Sequence, residues 1–228
     1  MRLTFITLLG VIVLGCADVK GIENQKQWGP VRSMIDLFTS CQLLETSDGP
    51  VLFDACWRAD ELKARLKEQG FTPADVVAVL VTHGHADHVG GLASLVNARR
   101  IGLVDEAPTL EKHAAGLPLT QTVVDGERLQ FGEHEVRVFS VPGHTAGSAA
   151  YLVGGTLVLG DSGLFTGSGK FAMVPEERSA DPAQVVQSIV QLGDRLTAEG
   201  LTVDAILPAH SGGVAGRVAF DAFIEANR

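Results

Sequence analysis

Residues 76–81, Val-Val-Ala-Val-Leu-Val, form an unbroken apolar run rich in β-branched side chains and lead straight into Thr82-His83-Gly84-His85-Ala86-Asp87-His88. Such a run predicts a strand buried on both faces, because an amphipathic strand would alternate. Three imidazoles and one carboxylate therefore sit at the strand's C-terminal end, where loops converge without occupying the core. His83 and His85, two apart around a flexible Gly84, can face one ion. Asp87 and His88, adjacent and opening a helical stretch, diverge toward a second. Imidazole nitrogens with a hard carboxylate oxygen suit zinc or iron better than calcium or magnesium. A solvated polar loop is the competing reading of this segment taken alone.

The same context recurs. His144 in Pro142-Gly143-His144-Thr145, Asp161 in Leu159-Gly160-Asp161-Ser162 and His210 in Leu207-Pro208-Ala209-His210 each follow a β-type run and sit among turn-forming residues. Five of the seven histidines, all but His113 and His134, fall in these strand-end loops, a sorting that scattered histidines would not show. Asp54, closing Val51-Leu52-Phe53-Asp54, occupies the same kind of position.

The rest of the chain reads as one domain over residues 31–228. Runs at 37–44 and 51–54 flank Thr46-Ser47-Asp48-Gly49-Pro50 and predict a hairpin. Residues 60–69 have helical spacing, with Asp60 as cap and Gly70 as terminator. Short β-runs follow at 101–104, 136–139, 149–153, 156–159 and 203–207. The longest helix spans 181–196, with Pro182 at its first position and Val185, Val186, Ile189, Leu192 and Leu196 on the face that covers a sheet. With 46% hydrophobic and 20% charged residues, the 228-residue chain is not disordered. Its 27 acidic against 18 basic residues give a net charge of -9, which repels phosphate backbones and excludes nucleic acid as a partner.

The N-terminus has another character. Arg2, an apolar run over residues 3–14 and then Gly15-Cys16 resemble a bacterial lipoprotein signal with Val13-Leu14-Gly15-Cys16 as lipobox. The resemblance implies a signal over residues 1–15, lipidation at Cys16, a tether over 16–30, and an exported protein, periplasmic or at the cell surface, touching membrane only through its anchor. An ordinary export signal, an uncleaved anchor and a first buried strand are the alternatives. Cys41 and Cys56 can pair in an oxidising compartment or stand as two small buried thiols. Their spacing does not make them metal ligands.

Taken together, His83-x-His85-x-Asp87-His88, His144, Asp161 and His210 resemble the metal motif of the metallo-β-lactamase-fold hydrolases, over essentially all of residues 31–228. The resemblance implies an α+β fold, a four-layer αβ/βα sandwich of two mainly antiparallel sheets packed face to face with helices outside. It implies two zinc ions, with iron or manganese also admissible. The first would take His83, His85 and His144, the second Asp87, His88 and His210, with Asp161 between them. Asp54 resembles the carboxylate that steadies the metal loop from behind; a plain turn Asp is the alternative. Two cations about 3.5–4 Å apart can lower the pKa of a shared water from ~15.7 to near 7, which makes a nucleophile without Ser or Cys. Asp87 is placed to orient that water and take its proton.

Asp161 points away from the β-lactam-cleaving members, which usually lack it, toward glyoxalase II-like thioesterases and lactonases acting on a small ester, thioester or lactone. Gly167-Ser168-Gly169-Lys170-Phe171 resembles the segment with which hydroxyacylglutathione hydrolases bind glutathione, making Lys170 the one nameable substrate-side residue; a flexible loop with a solvated lysine is the alternative. Only residues 211–228 follow His210, which leaves no room for the helical substrate domain of those enzymes. A mononuclear iron persulfide dioxygenase of the same fold, a β-lactam hydrolase and a non-catalytic binding module are the other readings. Oligomeric state is open.

Overall fold

The computed structural model describes residues 18–228, so residues 1–17, with the expected signal and Cys16, lie outside the described part. A first sheet runs in the order of its strands: β1 (Gln27–Trp28), β2 (Val31–Asp36), β3 (Thr39–Leu44), β4 (Val51–Phe53), β5 (Ala78–Leu80), β6 (Arg99–Leu103) and β7 (Gln121–Val123). Helices α1 (Ala59–Glu68), α2 (Ala86–Val89) and α3 (Ala107–His113) join its second half. The pairs from β1 to β4 are antiparallel, and those from β4 to β7 are parallel. The sheet is therefore mixed rather than mainly antiparallel, because the connections carrying α1 and α3 cross over one face and bring the chain back in the same direction.

The second sheet holds β8 (Arg128–Phe131), β9 (His134–Ser140), β10 (Ala149–Val153) and β11 (Thr156–Gly160), and after the short pair β12 (Leu164–Phe165) and β13 (Phe171–Ala172) and the long α4 (Pro182–Ala198), β14 (Ala205–Pro208) and β15 (Val214–Ala215). It is antiparallel except where β14 joins β11 in parallel. The chain closes in α5 (Val218–Ala226), packed on α4.

Alternation along buried strands builds three apolar layers. On β5, Ala78 and Leu80 face the core between the sheets, where they meet Phe53, Val138 and Tyr151. Val79 and Val81 face the opposite layer, with Leu62, Leu66, Val89 and Leu110 of the helices. β10 does the same, with Tyr151 inward and Ala150 and Leu152 outward against Val185, Ile189, Leu192 and Leu196 of α4. Residues 76–81 are buried except for Val77, which is partly open, and the cause is a strand covered by a sheet on one side and helices on the other. The N-cap of α4 is Asp181, whose side chain accepts from the backbone of Gln184 at 2.9 Å.

Several expectations need revision. Helix α1 starts at Ala59 after Arg58, and Asp60 lies inside its first turn. The cap comes from a distant residue: buried Asp36 accepts the backbone N–H groups of Trp57 and Arg58 at 3.1 and 2.7 Å. The run expected at 37–44 is broken, because Leu37 and Phe38 form a two-residue turn between β2 and β3, Asp36 pairing with Thr39. Residues 18–30 are built into the body: β1 pairs with β2, Trp28 is buried, and Val19 bridges Thr166. Trp28 supplies apolar area that a free tether would leave in water. Cys41 and Cys56 are joined in a disulfide with Cα atoms 5.0 Å apart, tying β3 to the loop that follows Asp54. Cross-linking a loop of this size is worth about 3 kcal/mol in the chain-entropy account.

Candidate functional site

The seven strand-end residues converge at one edge of the sandwich, brought there from the ends of β5, β11 and β14 and from the β9–β10 loop. His83, His88, His144 and Asp161 are buried, while His85, Asp87 and His210 are partly open to solvent. Nε2 of His144 lies 3.2 Å from Nε2 of His83 and 3.0 Å from Nδ1 of His85. Burial lowers the pKa of all three, that of His144 to about 4, so three neutral imidazoles turn ring nitrogens toward one point. Lone pairs at that spacing repel one another and favour a cation between them.

Beside this trio, Nε2 of His210 lies 3.3 Å from Oδ2 of Asp87 and 3.1 Å from Oδ2 of Asp161, and Nε2 of His88 lies 3.2 Å from Oδ1 of Asp161. Asp161 also faces the first trio, its Oδ2 3.5 Å from Nε2 of His144 and 3.8 Å from Nε2 of His83. Burial works against the charges of Asp161, His88 and His210, but their mutual attraction wins. Asp161 titrates well below and His88 well above the ordinary range, and His210 is pushed up to about 10. Asp87 is likewise held ionised: burial opposes it, and a hydrogen bond from His210 more than compensates.

The donor set fits a pair of metal ions. His83, His85 and His144 form one group with ligand atoms mutually within 4.8 Å, and Asp87, His88 and His210 form another. Nε2 of His88 and Oδ1 of Asp161, buried and 3.2 Å apart, face each other without a well-aligned hydrogen bond to any described residue, so both remain available to a cation. Asp54, His83 and His88 also cluster, yet Asp54 is already committed to hydrogen bonds on their far side.

Asp54 is no plain turn residue. Its Oδ2 accepts from Nδ1 of His88 at 2.7 Å and from the Thr82 hydroxyl at 2.6 Å, and that hydroxyl accepts from Nδ1 of His83 at 3.2 Å. Its Oδ1 accepts the backbone N–H of Thr82 at 2.7 Å. One carboxylate thus orients a histidine of each group. Nδ1 of His210 donates to the Phe38 carbonyl at 3.0 Å, which leaves Nε2 for the site.

One residue escaped the sequence reading. Glu106, fully buried after β6, accepts the N–H of Gly84 at 2.7 Å through Oε1, and the Thr145 hydroxyl and the Gly147 N–H through Oε2. It binds the loop of His83 and His85 to the loop of His144. The strand-end position that singled out Asp54 and Asp161 applied equally to Glu106. Gly84 proves to need room rather than flexibility, since a Cβ there would stand 2.4 Å from the backbone nitrogen of Leu110. His113, set aside in the sequence, lies edge-on to His85 with ring centres 5.9 Å apart.

Lys170 is exposed, with no carboxylate at ion-pair distance among the described residues, and its backbone N–H donates to Thr166. Phe171 is no part of a flexible loop; it is buried against Phe165, Phe220 and Phe223.

Comparison with known proteins agrees with this geometry. The model of the metallo-beta-lactamase superfamily matches residues 34–210. Hydroxyacylglutathione hydrolase of Xanthomonas euvesicatoria pv. vesicatoria is 33% identical over 131 residues, 56% of this chain and 47% of that protein. The enzyme of the same name from Shewanella sp. strain ANA-3 is 35% identical over 119 residues, 50% of this chain and 42% of that protein. The chain spans about half the length of the curated relatives it matches. Among solved structures, a B3 metallo-beta-lactamase with an active-site glutamic acid has a TM-score of 0.67 at 20% identity, covering 92% of this chain and 89% of that one. A metallo-beta-lactamase from Hirschia baltica has a TM-score of 0.64 at 15% identity, covering 92% and 99%. At these identities the structural likeness concerns the fold.

Proposed function

This chain belongs to the metallo-beta-lactamase superfamily, and on that premise we propose that it is a dinuclear zinc hydrolase acting on a small thioester, with esters and lactones as related substrates. The observation that carries the reading is the pair of donor groups meeting at Asp161, with Nε2 of His88 and Oδ1 of Asp161 buried and, among the described residues, without a hydrogen bond. His83, His85 and His144 would hold one ion, Asp87, His88 and His210 the other, and Asp161 would serve both. When bound, such a pair supplies Lewis acidity for a carbonyl and brings the pKa of a water from ~15.7 to near 7.

The chain's own residues do the rest. Asp87, partly open to solvent and ionised, accepts a proton from the attacking water and orients it. Asp54 and the Phe38 carbonyl hold His88 and His210 in the tautomers that leave Nε2 free. Glu106 keeps the two loops of the first trio in register. The thioester preference draws on the curated relatives, named for hydroxyacylglutathione hydrolysis, and on the presence of Asp161. Lys170 is the candidate cation for a substrate carboxylate.

Residues 1–15 read as an export signal and Cys16 as its lipidated residue, placing the protein outside the cytoplasm on a bacterial membrane. The Cys41–Cys56 disulfide supports this reading, since such bonds persist in oxidising compartments.

Metal content of the purified protein, followed by initial rates on thioester, lactone, phosphoester and β-lactam panels, tests the proposal. About two zinc ions per chain with thioester turnover is the expected result. One iron with sulfur oxidation would replace the reading by the dioxygenase. A metal-free protein without turnover would leave a binding module.

A further inference from the structure

The segment before β1 is a strap, and it runs along the rim of the metal site. Asn24 accepts the backbone N–H of Ile35 at 3.0 Å, beside the turn that joins β2 to β3. The carbonyl of Lys20 accepts the N–H of Gly212 at 2.8 Å, two residues past His210, and its own N–H donates to Phe165 at 2.9 Å. Gly167 then donates to the carbonyl of Asp18 at 2.8 Å. The strap is thus held as far as Asp18, the first described residue, and the lipid-anchor reading concerns the segment just before it. An anchor on the chain ahead of this strap would act on the side of the molecule where Lys20 meets Gly212, two residues past His210.

That rim is apolar. Leu37, Phe38 and Trp57 are 60%, 44% and 39% exposed. The Phe38 ring lies 5.2 Å from that of Trp57 and stacks on that of His210 at 5.8 Å. Leu37 has φ +60, in a turn position where glycine is unstrained. A leucine there carries backbone strain and exposes apolar surface, and the packing of the core explains neither.

We propose that this rim docks on the lipid surface, Leu37, Phe38 and Trp57 entering the interfacial layer, so that the mouth of the metal site opens beside the membrane that holds the anchor. The inference rests on the lipid-anchor reading above. Net charge -9 makes the contact apolar rather than electrostatic, and aromatic side chains favour the headgroup boundary.

The test uses the full chain reconstituted into phosphatidylcholine vesicles with and without brominated acyl chains. Trp28 is buried, so bromine quenching reads Trp57, with Trp57→Phe as control. Docking predicts roughly twofold quenching that is insensitive to salt and absent in Trp57→Phe. Leu37→Gly relieves the backbone, so its melting temperature should not fall while its quenching drops. Vesicle-bound protein without quenching, or Leu37→Gly quenched like the parent, overturns the docking and leaves the anchor standing. Protein that fails to sediment with vesicles overturns both.

Discussion

Nδ1 of His88 donates to Oδ2 of Asp54 across 2.7 Å, with both side chains enclosed. Asp54 sits at φ +59, a conformation that Asn shares most readily among its replacements. Asp54→Asn should therefore keep the backbone while weakening the orientation of His88. The second ion's affinity is expected to fall roughly 10–100-fold. Competition against a graded series of chelators measures it, and an unchanged affinity would return Asp54 to a structural role.

Asp161→Ser should strip the second ion before the first. Asp161 faces both donor groups, but His83, His85 and His144 complete one group without it. Metal analysis after mild chelation should find about one ion per chain in the variant and about two in the parent. Full occupancy in the variant would remove Asp161 from the shared position.

Glu106→Gln preserves size but turns an amide N–H₂ toward donors that now meet an acceptor on either side, Gly84 or Thr145 and Gly147. One buried donor loses its partner, a cost of about 1–3 kcal/mol. The expected outcome is a lower melting temperature together with a selective loss of affinity for the first ion. A thermal shift with both affinities intact would confine Glu106 to fold stability.

In chelated protein the histidines set opposing pH trends. Asp161 and Asp87 raise the pKa of His210 to about 10 against the effect of burial. The stabilisation this gives is fully present below the unfolded value of 6.5 and is lost as pH climbs toward 10. Burial lowers His144 to about 4, so folding excludes its proton, and stability is gained as pH rises from 4 to 6.5. The melting temperature of the metal-free protein should peak near pH 6.5, and zinc should flatten its alkaline fall by replacing the proton on His210. A melting temperature that keeps rising above pH 7 after chelation would contradict the assignment.

Lys170→Ala tests the substrate side. Because Lys170 is exposed, a contact to a substrate carboxylate is worth only about 0–1 kcal/mol, so kcat/KM for a carboxylate-bearing thioester should fall no more than about fivefold. An uncharged lactone should be unaffected; equal effects on both substrates would make Lys170 a solvated surface residue.

The chain's own order of residues determined the two kinds of information that are local. Apolar runs ending in His or Asp announced both the buried strands and the loops beyond them, because a strand covered on two faces leaves polar side chains only at its end. Hence His83, His85, Asp87, His88, His144, Asp161 and His210, which the fold gathers at one edge, all stand at strand ends in the sequence itself. What joins distant segments was not. Asp36 caps α1 from another strand, Glu106 ties two loops whose sequences do not mention it, and Leu37-Phe38 hides a turn inside an apolar run. The strap over the site rim belongs to the same class, since hydrogen bonds from Asp18 and Lys20 to residues far along the chain leave no local pattern. Pairings of that kind are decided only when packing brings the partners together, and so the tertiary structure alone could place them.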